Sequence, residues 1–362
     1  MREIVTEILV IGAGPAGLSA ARSAAEQGAN VLLVDNSHVS GGQLVKQTHK
    51  FFGAVRHGAG IRGMDLARKL TAESKREGVR FLLGTSAVGR FAAGLVLKDA
   101  QHKLVLARAQ RYVIAVGASE RGVAFRGWTL PGVMTAGAAQ TFLNLHRVSI
   151  GDRVLVVGSG NVGLILAYHL RQAGCDVACV VEARDEIGGW AVHASKIRRL
   201  GIPVLTGVAI EGARGQGRIS EVTLRSLHRR WGGTWRLNVS ADAVCLAVGL
   251  SPRTQLLQQI GCDLAFSAVL GGAVPIHDRC MQTTVPGWYV AGDAAGVEEA
   301  TVAMEEGQLA GLSAAHELGY GSSRSYERKK AEIRSFLDEL RAGPLSGDRR
   351  AAKEKLCLSR SG

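Results

Sequence analysis

Glycines and carboxylates at set spacings carry the first chemical signal in this chain. The stretch Glu7-Ile-Leu-Val-Ile-Gly12-Ala-Gly14-Pro-Ala-Gly17 puts three glycines at G-x-G-x-x-G spacing behind a short apolar run. Gly12 permits a tight turn, Gly14 lets a pyrophosphate approach the backbone, and Gly17 lets the next helix lie close to the strand. The helix expected over 18–27 turns its free N–H groups and positive dipole end toward that pyrophosphate. A second apolar run, Val31–Val34, ends at Asp35, where a carboxylate can hold ribose hydroxyls. Together these features describe a strand–helix–strand unit that binds a dinucleotide.

The same unit recurs. Asp152-Arg-Val-Leu-Val-Val-Gly158-Ser-Gly160-Asn-Val-Gly163 leads into a helix over 164–173, then into a strand over 177–181 that stops at Glu182. An acid there accepts from two ribose hydroxyls and repels a 2′-phosphate, favouring NAD over NADP, while nearby Arg184 pulls the other way. A third acid, Asp293, ends the apolar run Trp288-Tyr-Val-Ala-Gly292. Charge at the end of a buried strand is costly unless something accepts it, and ribityl hydroxyls or a phosphate-bound water would. The helix expected over 299–318 starts directly after, with Ala300 and Thr301 aimed at whatever occupies the site. Two further buried strands end in glycine, at Gly117 and Gly249, and ligands sit at such carboxyl ends.

The elements between these motifs are less regular. Gly41-Gly42-Gln43 lets the backbone run close to a bound group or forms a plain surface loop. The polar and aromatic stretch 45–63, with Lys46, Gln47, His49, Phe51 and Phe52, has no period and reads as a functional loop. A helix is expected over 64–77, then a small antiparallel meander of a strand over 79–83 and three short strands near 87–91, 94–98 and 103–106. A helix follows over 136–145. His193 and Lys196, in an expected helix, are either solvated or nicotinamide-site groups. Short strands are expected over 204–206 and 222–227. The stretch 228–236, His-Arg-Arg-Trp-Gly-Gly-Thr-Trp-Arg, reads as a hairpin; its basic and aromatic residues suit a solvated tip better than a nucleic-acid surface.

At 362 residues and 46% hydrophobic content the chain can bury two cores. Its net charge of +13 attracts anionic cofactors, acidic proteins, membrane surfaces or nucleic acid without choosing among them. Six cysteines without an even framework suit a reduced chain, the acid-broken start is no signal peptide, and no apolar run spans a membrane. A soluble cytoplasmic protein is expected. The tail beyond 320 is basic, with one amphipathic helix through Tyr326, Ile333, Phe336, Leu337 and Leu340, and a frayed end after Gly343-Pro344.

Gly12–Gly17, Gly42-Gln43-Leu44, the strand ending at Gly117 and the run into Asp293 resemble the flavoproteins with two dinucleotide-binding domains, closest in layout to thioredoxin reductase. The likeness covers about residues 1–320. It implies an α/β fold of two Rossmann-like dinucleotide-binding domains, the second inserted in the first. The first, at 1–120 and 263–320, binds FAD; the second, at 121–262, binds NAD(H); the tail fills 321–362. By resemblance, Gly12, Ala13, Gly14, Pro15, Ala16, Asp35, Asn36, Gly42, Gln43, Gly117, Gly292, Asp293, Ala300 and Thr301 contact FAD. Gly158, Gly160, Asn161, Val162 and Glu182 contact NAD. The disulfide-reducing members carry redox cysteines in one of two places, which here read Gln43-Leu-Val-Lys-Gln-Thr-His49 and Leu130-Pro-Gly-Val-Met-Thr-Ala-Gly137. Neither holds a cysteine, and Cys175, Cys179, Cys245 and Cys262 read as apolar fillers.

The passages 127–140 and 291–300 narrow the likeness to the nucleotide-binding subunits of heteromeric sarcosine oxidase, proline dehydrogenase, opine oxidase and hydrogen cyanide synthase. Many of those add a cysteine-rich iron–sulfur segment, whereas this tail holds only Cys357, so no metal is expected. The implied activity is hydride transfer between NAD(H) and FAD, with a partner flavoprotein subunit oxidising an amine or amino acid. Hydride transfer needs orientation and no obligatory protein acid or base; Gln43, Lys46 and His49 are the candidates for a residue acting at the flavin. A self-sufficient NAD(P)H reductase serving ferredoxin or another soluble carrier is the alternative. A nucleic-acid-associated flavoprotein is permitted by charge and supported by no motif.

Overall fold

The computed structural model describes residues 2–51, 55–227, 234–343 and 347–358. The chain divides into two compact units, residues 1–119 with 251–362, and residues 120–250.

The first unit is built on strands with continuous apolar runs, as expected where both faces of a sheet are covered. β1 (Arg2–Ile11) is followed by α1 (Pro15–Ala25), β2 (Val31–Val34), α2 (Gly63–Arg76) and β3 (Arg80–Leu82). β4 (Ser86–Phe91), β5 (Gly94–Lys98) and β6 (Leu104–Ile114) complete the sheet's order β3-β2-β1-β6-β5-β4. The first four strands of that order are parallel and the last two join as antiparallel hairpins. β3 thus belongs to the parallel edge and only 86–107 forms the meander. The two segments expected at 103–106 and before Gly117 are one strand, because β6 is paired along both halves: Leu104–Ala107 on β5 and Tyr112–Ile114 on the returning chain.

The second unit repeats the pattern. After β7 (Ala118–Glu120) come β8 (Val133–Thr135), α3 (Ala136–Gln140), β9 (Arg153–Val157), α4 (Asn161–Gln172), β10 (Asp176–Glu182), α5 (Ala191–Arg199) and β11 (Val204–Thr206). β12 (Val208–Arg214), β13 (Glu221–Ser226) and β14 (Arg236–Ser240) form an antiparallel sheet, and β15 (Ala243–Leu246) returns to give the parallel order β11-β10-β9-β15-β8. The helix expected over 136–145 changes pitch at Thr141, where a π-helical turn, Thr141–His146, takes over. Thr141 Oγ1 donates back to the Gly137 carbonyl at 2.7 Å, a bond that bends helices. The expected hairpin tip at 228–236 lies largely outside the described residues; β13 and β14, which flank it, pair antiparallel.

The return falls earlier than 263. Through β16 (Leu250–Pro252) and α6 (Gln255–Gln259) the chain re-enters the first unit, because Leu257, Ile260 and Cys262 pack into that unit's core. β17 (Leu264–Ser267), β18 (Gly272–Pro275), β19 (His277–Asp278) and β20 (Trp288–Val290) precede α7 (Ala300–Glu317) and α8 (Ser323–Leu340). α1 and α7 touch backbone to backbone: a Cβ at Gly307 or Gly311 would overlap the carbonyl oxygen of Ala16 or Ala20. The tail is no separate appendage. Tyr326, Ile333 and Leu337 join the core, and in place of the expected frayed end a second tail helix, α9 (Gly347–Leu356), runs to β21 (Cys357–Leu358). Leu356 and Lys353 are each 5% exposed, and β21 pairs with β19, which explains the order.

Candidate functional site

In the first unit the Gly12 turn is forced by geometry. Gly12 has φ +106°, and a Cβ there would overlap the Ala115 carbonyl oxygen. Gly12 N–H donates to Val34 O at 2.8 Å, joining the ends of β1 and β2. One residue on, Ala13 N–H donates to Asp35 Oδ2 at 2.6 Å, and the other oxygen accepts from Ser37 N–H at 2.7 Å. The acid is therefore clamped across the glycine turn. Gly14 is extended and offers no side-chain cap to α1, so no side chain of the cap occupies the first-turn N–H groups behind Pro15.

Gly41 and Gly42 close over this turn. Gly41 N–H donates to Ala13 O at 2.7 Å, and a Cβ at Gly42 would lie 2.7 Å from Gly14 Cα. From the opposite side comes Gly292, whose added Cβ would sit 2.8 Å from that of Ala16. The chain so brings Gly14, Ala16, Gly42 and Gly292 together around the N-terminus of α1. Glu299, at the head of α7, likewise gives no side-chain cap, leaving the N–H groups at Ala300 and Thr301 available to a bound group. Asn36 and Gln43 are exposed, while Lys46 and His49 are half-buried on the loop before α2. That loop is fastened from below: His57 Nε2 lies 2.6 Å from Glu305 Oε1 and Arg56 2.9 Å from the same oxygen. Phe52 lies outside the described residues.

Asp293 follows Gly292 in a short turn, Gly292–Ala294. Burial pushes its carboxyl up to about 7, helped by the charges of Glu306 and Glu299. Hydroxyl donors at that carboxylate would relieve the strain, so the residue fits a polyol such as a ribityl chain.

In the second unit the arrangement recurs residue for residue. Gly158 has φ +104° and would overlap Ala247 O with any Cβ; its N–H donates to Val181 O at 2.7 Å. Ser159 donates its N–H at 2.9 Å and its hydroxyl at 2.7 Å to Glu182 Oε2. Arg184 donates to Oε1 through its amide at 3.1 Å and through Nε at 3.3 Å. Burial opposes the charge on Glu182, but these donors outweigh it and hold the carboxyl below its usual range. Gly160 leaves the head of α4 without a side-chain cap, and Val162 in its first turn is exposed. Asn161 is already engaged, its Oδ1 accepting Trp190 N–H at 2.8 Å, so it shapes the loop before α5. His193 is buried in α5, with its pKa lowered by burial and by Lys196, whose ammonium sits over the Tyr168 ring.

Residues 6–307 match the family described as pyridine nucleotide-disulphide oxidoreductase. The chain belongs to that family. It is 31% identical over 339 residues to one of the subunits of opine oxidase from Rhizobium meliloti (strain 1021), covering 86% of this chain and 71% of that one. It is 28% identical to hydrogen cyanide synthase subunit HcnB of Pseudomonas protegens, covering 91% and 76%. Among solved structures, L-proline dehydrogenase from P. horikoshii superposes with a TM-score of 0.72 at 23% identity, over 91% of this chain and 59% of that one. As a member of this family the chain is an FAD-dependent oxidoreductase that works with a nicotinamide nucleotide, in keeping with its motifs. Among the described residues no helix is long and apolar enough to cross a membrane.

Sequence reasoning missed Ser159, Glu306, Arg341 and Lys353. Ser159 is an unspecified position inside G-x-G, and the two basic residues lie in a tail that reads as solvated. Only Glu305-Glu306, a carboxylate pair within the otherwise uncharged run Ala300–Ala315, left a visible signal.

Proposed function

We propose that this chain is the nucleotide-binding subunit of an amine or amino-acid dehydrogenase or oxidase, with a second flavoprotein subunit oxidising the substrate. The observation that carries this reading is the twofold clamp of an acid across a glycine turn, Ala13–Asp35 and Ser159–Glu182. In it the first unit takes FAD and the second NAD(H). The opine oxidase and hydrogen cyanide synthase relatives are themselves named as subunits, which supports a partner chain.

When bound in the first unit, FAD would supply the chemistry of hydride exchange with a nicotinamide. The protein's part is binding and orientation. The heads of α1 and α7 would present N–H groups to the phosphate and flavin oxygens of FAD, Asp35 would accept from its adenosine ribose and Asp293 from its ribityl chain. In the second unit Glu182, held ionised by Ser159 and Arg184, accepts from a ribose diol and repels a 2′-phosphate, so NAD(H) is favoured. No cysteine stands at either redox position, and burial raises the thiols of Cys179, Cys245 and Cys262, so these residues supply no thiol relay between a bound flavin and its acceptor. Six unpaired cysteines suit the cytoplasm.

The test compares the isolated chain with the chain plus its co-purifying partner. NADH-dependent dye reduction should be present in both, and oxidation of sarcosine, proline or an opine only with the partner. Amine oxidation by the lone chain would remove the subunit reading. Copurification of an acidic ferredoxin in place of a flavoprotein would favour a self-sufficient reductase, which the +13 charge suits.

A further inference from the structure

α7 carries two adjacent carboxylates, Glu305 and Glu306, each only 1% exposed. A buried carboxylate persists only when paired and hydrogen-bonded. Glu306 meets that condition through residues far along the chain. Its Oε2 accepts Gly292 N–H at 3.0 Å, while its Oε1 receives Arg341 Nη2 at 2.6 Å and Lys353 Nζ at 2.7 Å. Lys353 also donates to Ala295 O at 3.0 Å and lies 3.4 Å from Glu298. Arg341 forks onto both Glu298 oxygens at 2.9 and 2.6 Å. Two cations thus balance two carboxylates, Glu306 and Glu298, in a buried cluster. Burial opposes ionised Glu306, but Lys353 and Arg341 hold it charged.

The geometry of this cluster selects one segment. The N–H of Gly292 is fixed through Glu306, and the carbonyl of Ala295, three residues on, is fixed by Lys353. Asp293 sits between those two anchors. Neither cation belongs to the part of the chain that matches the family, which ends at residue 307. Both come from the tail: Arg341 ends α8 and Lys353 lies in α9, which β21 pins to β19 through His277↔Cys357 and Asp278↔Leu358.

We propose that the carboxy-terminal tail is a working part of the flavin site, with Lys353 and Arg341 as positioning residues that hold the Gly292–Ala295 turn and so present Asp293 to FAD. The proposal rests on the assignment of Asp293 to FAD under the proposed function. It means that the tail, though outside the family's common part, acts on cofactor affinity from behind the turn and touches no reacting atom.

The experiment uses the full chain, deflavinated and titrated with FAD by fluorescence, with thermal unfolding of each apoprotein measured alongside. Lys353→Met leaves Glu306 and Glu298 with a single cation, and the FAD dissociation constant should rise about tenfold or more. Lys353→Arg should restore it to within about threefold, since the charge and a donor to Ala295 are kept. Adding Glu306→Gln to Lys353→Met should recover part of the loss, because the unpaired charge is removed and an acceptor for Gly292 N–H remains. The visible spectrum of residual bound FAD should shift in Lys353→Met, a change that mere loss of stability does not cause. Where Lys353→Met does not fold without FAD, Lys353→Gln replaces it in the same comparison. A folded Lys353→Met or Lys353→Gln that binds FAD like the parent overturns the proposal. So does a fall in unfolding temperature with unchanged FAD affinity. Asp293→Ala is the control: if it too binds FAD fully, the assignment of Asp293 has failed, whereas loss of FAD there with none in Lys353→Met sinks only the role of the tail.

Discussion

Ser159 gives both its amide and its hydroxyl to one oxygen of Glu182, at 2.9 and 2.7 Å, and the hydroxyl in turn accepts Gly188 N–H at 3.0 Å. Ala13, at the equivalent place in the first unit, gives Asp35 a single bond at 2.6 Å. The second acid is therefore fixed more firmly, with one oxygen committed to the turn and the other shared with Arg184.

That difference leads to a nucleotide preference. NADH should reduce the bound flavin faster than NADPH in stopped-flow bleaching, and Glu182→Gln should narrow the ratio by about tenfold through loss of charge repulsion alone. Ser159→Ala should weaken NADH binding while leaving FAD content untouched. An NADPH preference in the parent chain would show that Arg184 outweighs the acid.

The two glycine turns should fail separately. Gly12→Ala forces a Cβ into Ala115 O and Gly158→Ala one into Ala247 O, both at positive φ, each costing on the order of 2 kcal/mol or more. Gly12→Ala should yield colourless protein. Gly158→Ala should stay yellow yet respond poorly to NADH. Absorbance spectra and NADH titration separate the two.

Asp293 and His277 set opposing pH dependences for the apoprotein. Asp293 is raised from 3.8 to about 7, so as pH climbs through that window the unfolded chain releases a proton that the folded chain keeps. Folded stability is lost there, by at most about 4 kcal/mol. Burial, with Lys353 nearby, lowers His277 from 6.5 to about 4, so stability is lost as pH falls through that window, by at most about 3 kcal/mol. Between about 4 and 6.5 the two slopes cancel in large part. Urea denaturation of Asp293→Asn apoprotein should therefore show higher stability than the parent at pH 7 and a steeper fall toward acid. FAD affinity of the parent should increase as pH rises through 7, because the ionised acid is the better acceptor; a flat profile would argue against ribityl contact at Asp293.

Thiol alkylation should spare electron transfer. Burial raises Cys179 to about 11, so at pH 7 only about one molecule in ten thousand carries its thiolate. NADH-dependent dye reduction measured before and after treatment with iodoacetamide should agree within error. Loss of activity with FAD retained, and protection by NADH, would identify a catalytic thiol.

The two βαβ units, their acids and the buried strands are legible along the chain because each depends on local chemistry. The glycine turn, the apolar run of strand length and the carboxylate at its end are joined by bonds within some twenty residues, Gly12 to Val34 and Ala13 to Asp35, Gly158 to Val181 and Ser159 to Glu182, and they fold much the same way in both halves. The carbonyls of Ala115 and Ala247 that exclude a Cβ at the glycines come from far along the chain. What is not legible depends on partners distant in sequence. β6 reads as two strands because its continuity comes from β5 on one half and β20 on the other. The return of the chain at residue 251 is hidden because Leu257 and Ile260 announce burial but not the core they enter. Lys353 reads as one more charge in a basic, frayed tail. Its burial makes sense only where α9 meets Glu306 and the Ala295 carbonyl, since an ammonium leaves water only when folded geometry supplies both a counter-charge and acceptors in the same place.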